Sequence, residues 1–193
     1  MNGRTGNLRY GHSQLTDALL NDGLWDPFED WAMGDAAEFI AQEFEVTREA
    51  MDRYAYASHQ KAIQAIDEGR FREEIVPIEI KGRRGESQVF EVDETPRRDT
   101  SLEALARLRP AFQPGGKVTA GNAPGLNDGA AATVVTSEAF ARAHGLDILA
   151  RIRAYSVGAT APRDLFFAPI DAVRRLMERE GTTIGDYELI EVN

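Results

Sequence analysis

The sequence contains 193 residues, of which 42% are hydrophobic and 28% are charged, a composition that is ordinary for a globular protein. Its formal net charge of -10 argues against a general nucleic-acid-binding surface, and neither a membrane span nor a signal peptide at Met1 is expected from its apolar runs. The absence of Cys excludes disulfides, Cys-ligated metals and a thiolate nucleophile within these residues.

The chain up to about residue 120 has the pattern of an α+β protein with long loops. Thr47 is a good N-cap, Glu49 follows in the first turn where a helix dipole favours an acid, and Gly69 is a natural C-terminal stop. Alternating apolar residues on either side of a turn predict a β-hairpin. The predicted elements are a short helix near Leu15–Leu20, helices over Asp35–Glu43, Thr47–Gly69 and Asp99–Leu108 (capped by Asp99 or Thr100), and strands over Ile75–Ile80 and Val89–Val92.

From residue 130 onward the pattern becomes β-α-β-α-β, which is typical of an α/β fold. The small and apolar run at its start predicts a strand that is covered on both faces. The predicted strands are Ala130–Thr136, Leu149–Val157 and Glu188–Val192, and the predicted helices are Ser137–His144 and Ile170–Glu180.

Few side chains suggest chemistry without further information. His12, His59 and His144 are scattered and lack metal-ligand spacing, so no metal site is expected. Asp35 and Glu38 share one helix face, and we interpret them as part of a solvated face. The Gly- and Ala-rich stretch Thr119–Ala132 is different, because small residues leave backbone groups open to a thin polar ligand.

That stretch, TAGNAPGLNDGAAA, resembles the TAGNxSGxNDGAAA segment of the thiolases, acyl-CoA C-acetyltransferases that make or break a carbon–carbon bond between acyl units. Several further motifs resemble the same family in the same order, so the match is far more specific than a lone Gly-rich loop. They are WDPF (25–28) with MGDAAE (33–38), TREAMDRYAYASH (47–59), GRFREEIVP (69–77), DETPR (93–97) with LRPAF (108–112), and ELIEVN (188–193).

The resemblance implies a partial α-β-α-β-α thiolase-like fold, α/β in class, with an inserted α+β loop domain. Residues 1–122 would form the loop domain inserted in the N-terminal half. Residues 123–147 would end that half, and residues 148–193 would begin the C-terminal half.

The resemblance also implies which chemistry is missing. Thiolases place a nucleophilic Cys before the matched region, and a histidine motif and a second Cys after it, whereas this sequence has no Cys. We therefore expect the middle of a thiolase that is cut at both ends and is inactive alone. Asn193 matches the family Asn that orders a water at an oxyanion site, and it is the one catalytic candidate.

The implied substrates are coenzyme A thioesters, with no separate cofactor. Met33 matches a Met that lines the acyl pocket, and Arg97 matches an arginine that lies against the CoA nucleotide. Ala120, Ala123 and Pro124 match the segment along the pantetheine arm. Pro124 replaces a family Ser and has neither hydroxyl nor N–H, so that contact cannot form in the family's way.

Three interpretations remain open. In the first, the chain is part of a Cys-dependent, ping-pong acyltransferase that forms or cleaves 3-ketoacyl-CoA. The second is a non-catalytic CoA-binding or oligomer-assembly module, and the third is a split enzyme completed by another chain. In each case the expected protein is cytoplasmic, and the full-length form is expected to be a homo-oligomer, either a dimer or a tetramer.

Overall fold

The computed structural model describes residues 14–82 and 85–192. It divides into two compact units, of which the first ends at Leu126 and the second begins at Asn127. The division falls inside the Gly-rich stretch. Within the described ranges, no helix combines the length and apolar character needed to cross a bilayer.

A π-helix (Leu20–Leu24) lies near the start of the described part of the first unit. The Asp17 carboxylate accepts a hydrogen bond from the backbone N–H of Leu19 at 2.9 Å, so the helical turns begin after Asp17. The short helix predicted near Leu15–Leu20 is therefore shifted towards the C terminus.

A tight turn between two short strands follows the π-helix. Strand β1 (Trp25–Asp26) pairs antiparallel with β2 (Trp31–Ala32). The buried Asp26 carboxylate accepts the backbone N–H of Phe28 at 2.8 Å, and Asp30 takes a φ of +57°. An Asx turn of this kind reverses the chain and delivers it to the next helix.

Three α-helices form the body of the first unit, and all three coincide with predicted helices. The Thr47 hydroxyl accepts the N–H of Ala50 at 3.1 Å, and Gly69 follows the same helix with a φ of +70°. The predictions of that cap and that stop are confirmed, because both positions have the required geometry. The helices are α1 (Met33–Glu43), α2 (Arg48–Asp67) and α3 (Leu102–Ala106).

The predicted cap of α3 is wrong. Ser101 caps the helix, since its hydroxyl accepts the N–H of Ala104 at 3.1 Å. The Asp99 carboxylate is bound instead to the Arg97 guanidinium at 3.2 Å, and Thr100 lies before the cap. Because the helix begins at Leu102, Asp99 and Thr100 lie too early in the chain to cap it.

The predicted hairpin is confirmed as strands β3 (Ile78–Lys81) and β4 (Ser87–Phe90). They pair antiparallel, with Ile78 opposite Phe90 and Lys81 opposite Ser87. All eight residues of the two strands are exposed. The hairpin is therefore held by its own ladder and not by burial within the described chain.

The helices predicted in the second unit are also present. Ser137 caps the first, with its hydroxyl accepting the N–H of Phe140 at 3.2 Å. Gly181 ends the second with a φ of +65°, and Gly158 packs so closely against its first turn that a Cβ would lie 2.3 Å from the Ala168 carbonyl oxygen. The helical segments are α4 (Glu138–Ala143), α5 (Ala168–Glu180) and two 3-10 turns, Pro162–Phe167 and Ile184–Asp186.

The three strands predicted in the second unit are not formed. Ala130–Thr136, Leu149–Val157 and Glu188–Val192 carry no strand pairing within residues 127–192. Their large apolar side chains are exposed, Leu149 to 96%. A strand needs a neighbour to complete its backbone hydrogen bonds, and among the residues described these runs have none.

Among the residues that the structure describes, few are buried, and in the first unit the buried polar residues are as many as the buried apolar ones. The buried apolar residues of the first unit are Ala36, Ala41, Leu105 and Val118. The buried polar residues there are Asp26, Glu38, Asp52 and Thr119. Since a buried carboxylate is costly unless it is hydrogen-bonded, this set indicates a specific polar network.

Candidate functional site

The segment that leads into the Gly-rich stretch is held in a narrow antiparallel turn. Pro110 and Thr119 form an isolated β-bridge, and the N–H of Ala111 donates to the Val118 carbonyl oxygen at 2.9 Å. This pairing fixes the direction in which the chain enters the loop 119–124, the part of the first unit that the family resemblance assigns to the substrate.

Glu38, on α1, accepts hydrogen bonds from the backbone of the residues that lead into that loop. Its two carboxylate oxygens accept the Lys117 N–H at 2.8 Å, and one of them accepts the Val118 N–H at 2.7 Å. Glu38 is only 6% exposed. A Cβ on Gly116 would lie 2.3 Å from Glu38 Oε1, so only glycine lets the backbone approach this carboxylate so closely.

The Lys117 side chain anchors the same point a second time. Its Nζ donates to the carbonyl oxygen of Ala41, in the last turn of α1, at 2.9 Å and to that of Val46, in the connection to α2, at 2.7 Å. A cation is favoured there because the last carbonyls of a helix carry partial negative charge. Lys117 is thus held by both its main chain and its ammonium group.

The other end of the loop is held by Asn122. Its Nδ2 donates to Asp52 Oδ1 and to the Lys117 carbonyl oxygen, both at 3.0 Å. Its Oδ1 accepts the N–H of Thr119 at 2.7 Å. One side-chain amide therefore connects both ends of the turn to a buried carboxylate on α2.

Asp52 is held in turn by Arg48, with Nε to Oδ2 at 2.8 Å. A terminal nitrogen of Arg48 donates to the carbonyl oxygens of Leu105 and Leu108 at 2.6 and 3.1 Å. The side chains of both leucines also pack against the loop, since a Cβ on Gly121 would lie 2.5 Å from each of them. The network thus joins α2, the end of α3 and the loop.

Met33, predicted to line an acyl pocket, is half-buried at the first residue of α1. Its neighbour Gly34 lies against the ring of Phe112, where a Cβ would come within 2.1 Å of the ring. Gln113 donates to Asp35 at 3.1 Å. Two of the recognised motifs, MGD and LRPAF, therefore meet in space, and Met33 lies beside their junction.

Ala120 and Pro124, predicted to contact substrate, are exposed on the braced loop, and Ala123 is half-buried. The N–H of Ala123 already donates to the Thr119 carbonyl oxygen at 3.1 Å. That N–H is part of the turn, so the exposed faces of Ala120 and Pro124 are the surface that the loop offers.

Arg97, predicted to meet a nucleotide, is 66% exposed and is held from two sides. Its hydrogen bond to Asp99 raises the pKa of the guanidinium and lowers the pKa of the Asp99 carboxyl. Its backbone N–H donates to His59 Nδ1 at 3.1 Å, and the adjacent Arg98 binds Asp67 through two hydrogen bonds of 2.6 and 3.1 Å. Arg97 therefore remains a charged side chain on a segment that is tied to α2.

Asn193, the one catalytic candidate, lies outside the described residues. Across residues 14–82 and 85–192, no three His, Cys, Asp or Glu side chains cluster closely enough to hold a metal ion. Of the residues predicted to bind substrate, the structure therefore describes Met33, Arg97 and the loop that carries Ala120, Ala123 and Pro124.

The buried carboxylates were missed by sequence reasoning. The prediction of a solvated face is wrong for Glu38, which is buried, whereas Asp35 is half-buried and bonded to Gln113. One signal was available, because Glu38 lies three positions before Ala41 and so shares its buried helix face.

Comparison with known proteins identifies what this chain resembles. A family model described as "Thiolase, N-terminal domain" matches residues 2–139. Acetyl-CoA acetyltransferase of Pseudomonas aeruginosa is 50% identical over 190 residues, which cover 98% of this chain and 48% of that protein.

Solved structures give the same result. The crystal structure of the Bacillus anthracis acetyl-CoA acetyltransferase matches with a TM-score of 0.83 and 43% identity, over 98% of this chain and 48% of that one. Human mitochondrial 3-ketoacyl-CoA thiolase matches with a TM-score of 0.82 and 36% identity, over 97% of this chain and 48% of that one. The chain spans about half the length of the curated relatives it matches.

Proposed function

This chain belongs to the thiolase family, and from that premise we propose that the protein acts on coenzyme A thioesters as an acyl-CoA C-acyltransferase. The single observation that carries the proposal is 50% identity, sustained over 98% of the chain, to a protein named acetyl-CoA acetyltransferase. The partial thiolase-like α/β fold expected from the sequence is confirmed by the structural matches.

The proposed reaction is a ping-pong acyl transfer in which a Cys thiolate carries the acyl group between two CoA thioesters. In the direction of condensation, the Cys thiolate attacks the carbonyl of one CoA thioester, and CoA leaves as a thiolate that takes up a proton. A base removes a proton next to the carbonyl of the second thioester, and the resulting carbanion attacks the acyl-Cys, which forms 3-ketoacyl-CoA and releases the Cys thiolate; cleavage is the reverse. Since these 193 residues contain no Cys, the nucleophile in this proposal is supplied from outside them. The chain by itself would contribute substrate binding and would be inactive.

The proposed binding roles follow the positions of the side chains. Met33 would border the acyl group, and the loop carrying Ala120, Ala123 and Pro124 would lie along the pantetheine arm. Arg97 would meet the nucleotide end. The half-buried position of Met33, the exposure of Ala120 and Pro124, and the charge of Arg97 support these assignments.

Asn193 would order a water at the oxyanion site. The remaining features of the proposal are a cytoplasmic homo-oligomer, dimeric or tetrameric, that takes part in fatty acid metabolism and needs no cofactor beyond its CoA substrates. They follow from the family resemblance.

A second function is favoured by one observation, the absence of Cys. A non-catalytic module that keeps the loop for CoA contact or for assembly would need no nucleophile. The coding DNA on either side of the segment discriminates between the two. In-frame Cys and histidine motifs support the acyltransferase, and a start at Met1 with a stop after Asn193 supports the module.

The experiment that tests the acyltransferase is cleavage of acetoacetyl-CoA by free CoA, followed by loss of the 3-ketoacyl thioester. We expect no turnover from the 193-residue chain, because removal of a nucleophile costs many orders of magnitude in rate. We expect turnover when the chain is extended by its flanking coding sequence. Enzymatic turnover by the chain alone would contradict the proposed mechanism, and an inactive extended protein would support the module.

A further inference from the structure

We propose that Asp52 is a positioning residue for the CoA thioester, because it fixes the substrate loop through the side-chain amide of Asn122. The proposal rests on the proposed function, since it concerns the affinity of that loop for a CoA thioester. Asp52 itself is 3% exposed and so is positioned to act on the ligand only through the loop.

Both oxygens of the Asp52 carboxylate have a donor. Oδ2 accepts from Arg48 Nε at 2.8 Å, and Oδ1 accepts from Asn122 Nδ2 at 3.0 Å. A carboxylate that accepts from two donors on opposite sides cannot rotate without losing one bond. Its orientation is set from outside α2, because Arg48 is also bound to the carbonyl oxygens of Leu105 and Leu108.

Asn122 transmits this orientation to the loop. Its second Nδ2 hydrogen goes to the Lys117 carbonyl oxygen, and its Oδ1 accepts the Thr119 N–H at 2.7 Å. These three bonds use both donors of the amide and its acceptor. A rotation of the amide would therefore break contacts at both ends of the turn that presents Ala120.

Charge distinguishes positioning from a general electrostatic effect. CoA is polyanionic, so the loss of a negative charge from a chain of net charge -10 should strengthen its binding. The loss of a positioning bond should weaken it, because the loop no longer holds one geometry. The two mechanisms predict opposite signs for the same substitution.

The test is Asp52→Asn in the full chain. Asn is close to Asp in shape, but one of its two arms becomes an NH2 group that donates and cannot accept. It therefore cannot serve both Arg48 and Asn122. We expect the affinity for acetyl-CoA, measured by titration calorimetry, to fall about tenfold, as for the loss of one hydrogen bond to a charged group.

The matched control is Glu68→Gln, which removes the same charge at the far end of α2. Glu68 is exposed and is bonded to Gln64 and Arg70 at 2.7 and 2.6 Å. We expect its affinity for acetyl-CoA to equal that of the unchanged chain or to be slightly higher. A decrease as large as that of Asp52→Asn would overturn the inference.

If circular dichroism shows that Asp52→Asn does not fold, a second variant tests the proposal. Asn122→Ala leaves the Asp52–Arg48 pair intact and removes the bond to Asp52 together with the Asn122 bonds to Lys117 and Thr119. We expect a loss of affinity of about tenfold or more, and the double variant should lose no more than Asn122→Ala alone, because Asp52 acts on the loop through Asn122. In the extended, active protein the loss should appear as a raised KM for the CoA thioester with kcat nearly unchanged.

The outcomes separate the inference from the function on which it rests. If the unchanged chain binds acetyl-CoA and both variants bind it equally well, the inference is overturned and the proposed function stands. If the unchanged chain binds no CoA thioester, the proposed function fails for this chain, and the inference fails with it. Weaker binding by both variants, with the control unchanged, supports the inference.

Discussion

The two units of this chain differ in the polar groups that they bury and in the predicted strands that they leave unpaired. The first unit buries Glu38 and Asp52 and gives each of their oxygens a hydrogen-bond donor. The second unit leaves the large apolar side chains of 130–136, 149–157 and 188–192 exposed. The loop of the first unit is therefore braced by buried hydrogen bonds within the described chain, whereas these runs of the second unit present apolar surface that water does not favour.

This difference has a consequence for function. A loop that is braced by buried bonds presents a fixed backbone to a ligand, so little ordering is needed when the ligand binds. Exposed, unpaired runs of apolar residues favour association with other strands. We therefore expect ligand binding to be a property of the first unit and association to be a property of the second.

The largest expected effect is association of the chain through the second unit. Leu149→Lys should convert most of an associated sample to monomer, because it replaces an apolar side chain that is 96% exposed, in a segment whose other large apolar side chains are also exposed, with a charged one. Sedimentation velocity at several concentrations measures this. Tyr54→Lys, at an exposed position on α2, is the control and should leave the sedimentation profile unchanged. If the unchanged chain is a monodisperse monomer, the predicted association through the second unit is wrong.

The next effect contrasts two glycines of the same stretch, one in each unit. Gly121→Ala should destabilise the chain by about 2 kcal/mol, because its Cβ would lie 2.5 Å from side-chain atoms of Leu105 and Leu108. Gly129→Ala meets nothing within 4 Å and should be neutral within about 0.5 kcal/mol. Urea denaturation followed by circular dichroism measures both. Equal values would mean that the loop is not packed as described.

A smaller effect is expected at Arg97. Arg97→Ala should weaken acetyl-CoA binding by about 1 kcal/mol, the energy of a partly exposed arginine near a phosphate or an adenine ring. Arg70→Ala removes another exposed, paired arginine and should have no effect on affinity. In an extended, active protein the change should appear in KM. A loss of kcat with an intact KM would assign Arg97 to active-site geometry instead of nucleotide binding.

The smallest effect concerns pH. The hydrogen bonds from Arg98 lower the pKa of Asp67 below its ordinary value, so the folded state favours the carboxylate. The resulting stabilisation is present above the ordinary pKa and is lost as pH falls through the lowered value, where Asp67 becomes protonated. An NMR titration of the Asp67 carboxyl measures this pKa, and Arg98→Ala should raise it. An unchanged pKa would show that the pair is not formed in solution.

Local signals in the sequence predicted the helices of both units. Thr47 and Gly69 begin and end α2 as their conformational preferences require, and Gly181 ends α5 with a φ of +65°. The resemblance of the ordered motifs to thiolases predicted the family, which the comparisons confirm. Two of those motifs also meet in the fold, where Gly34 lies against Phe112.

What the sequence did not reveal depends on distant contacts. Asp52 and Asn122 are 70 positions apart, and no local pattern connects them. The strand predictions in the second unit are wrong for a related reason. The segments that contain Val134 and Leu149 have the composition of buried strands, but they have no neighbouring strand within the described residues. Composition predicts the preference for a strand, and only a partner completes one.

Amide hydrogen exchange of the chain, with and without saturating acetyl-CoA, tests the contrast between the units most directly. In the free chain we expect the backbone amides of 117–119 and 121–123 to exchange slowly and those of 130–136 to exchange rapidly, since only the former are hydrogen-bonded within the described structure. Acetyl-CoA should slow exchange further in 117–123 and leave 149–157 unchanged. Equal exchange in 117–123 and 130–136, with no response to acetyl-CoA, would contradict both the braced loop and its proposed role.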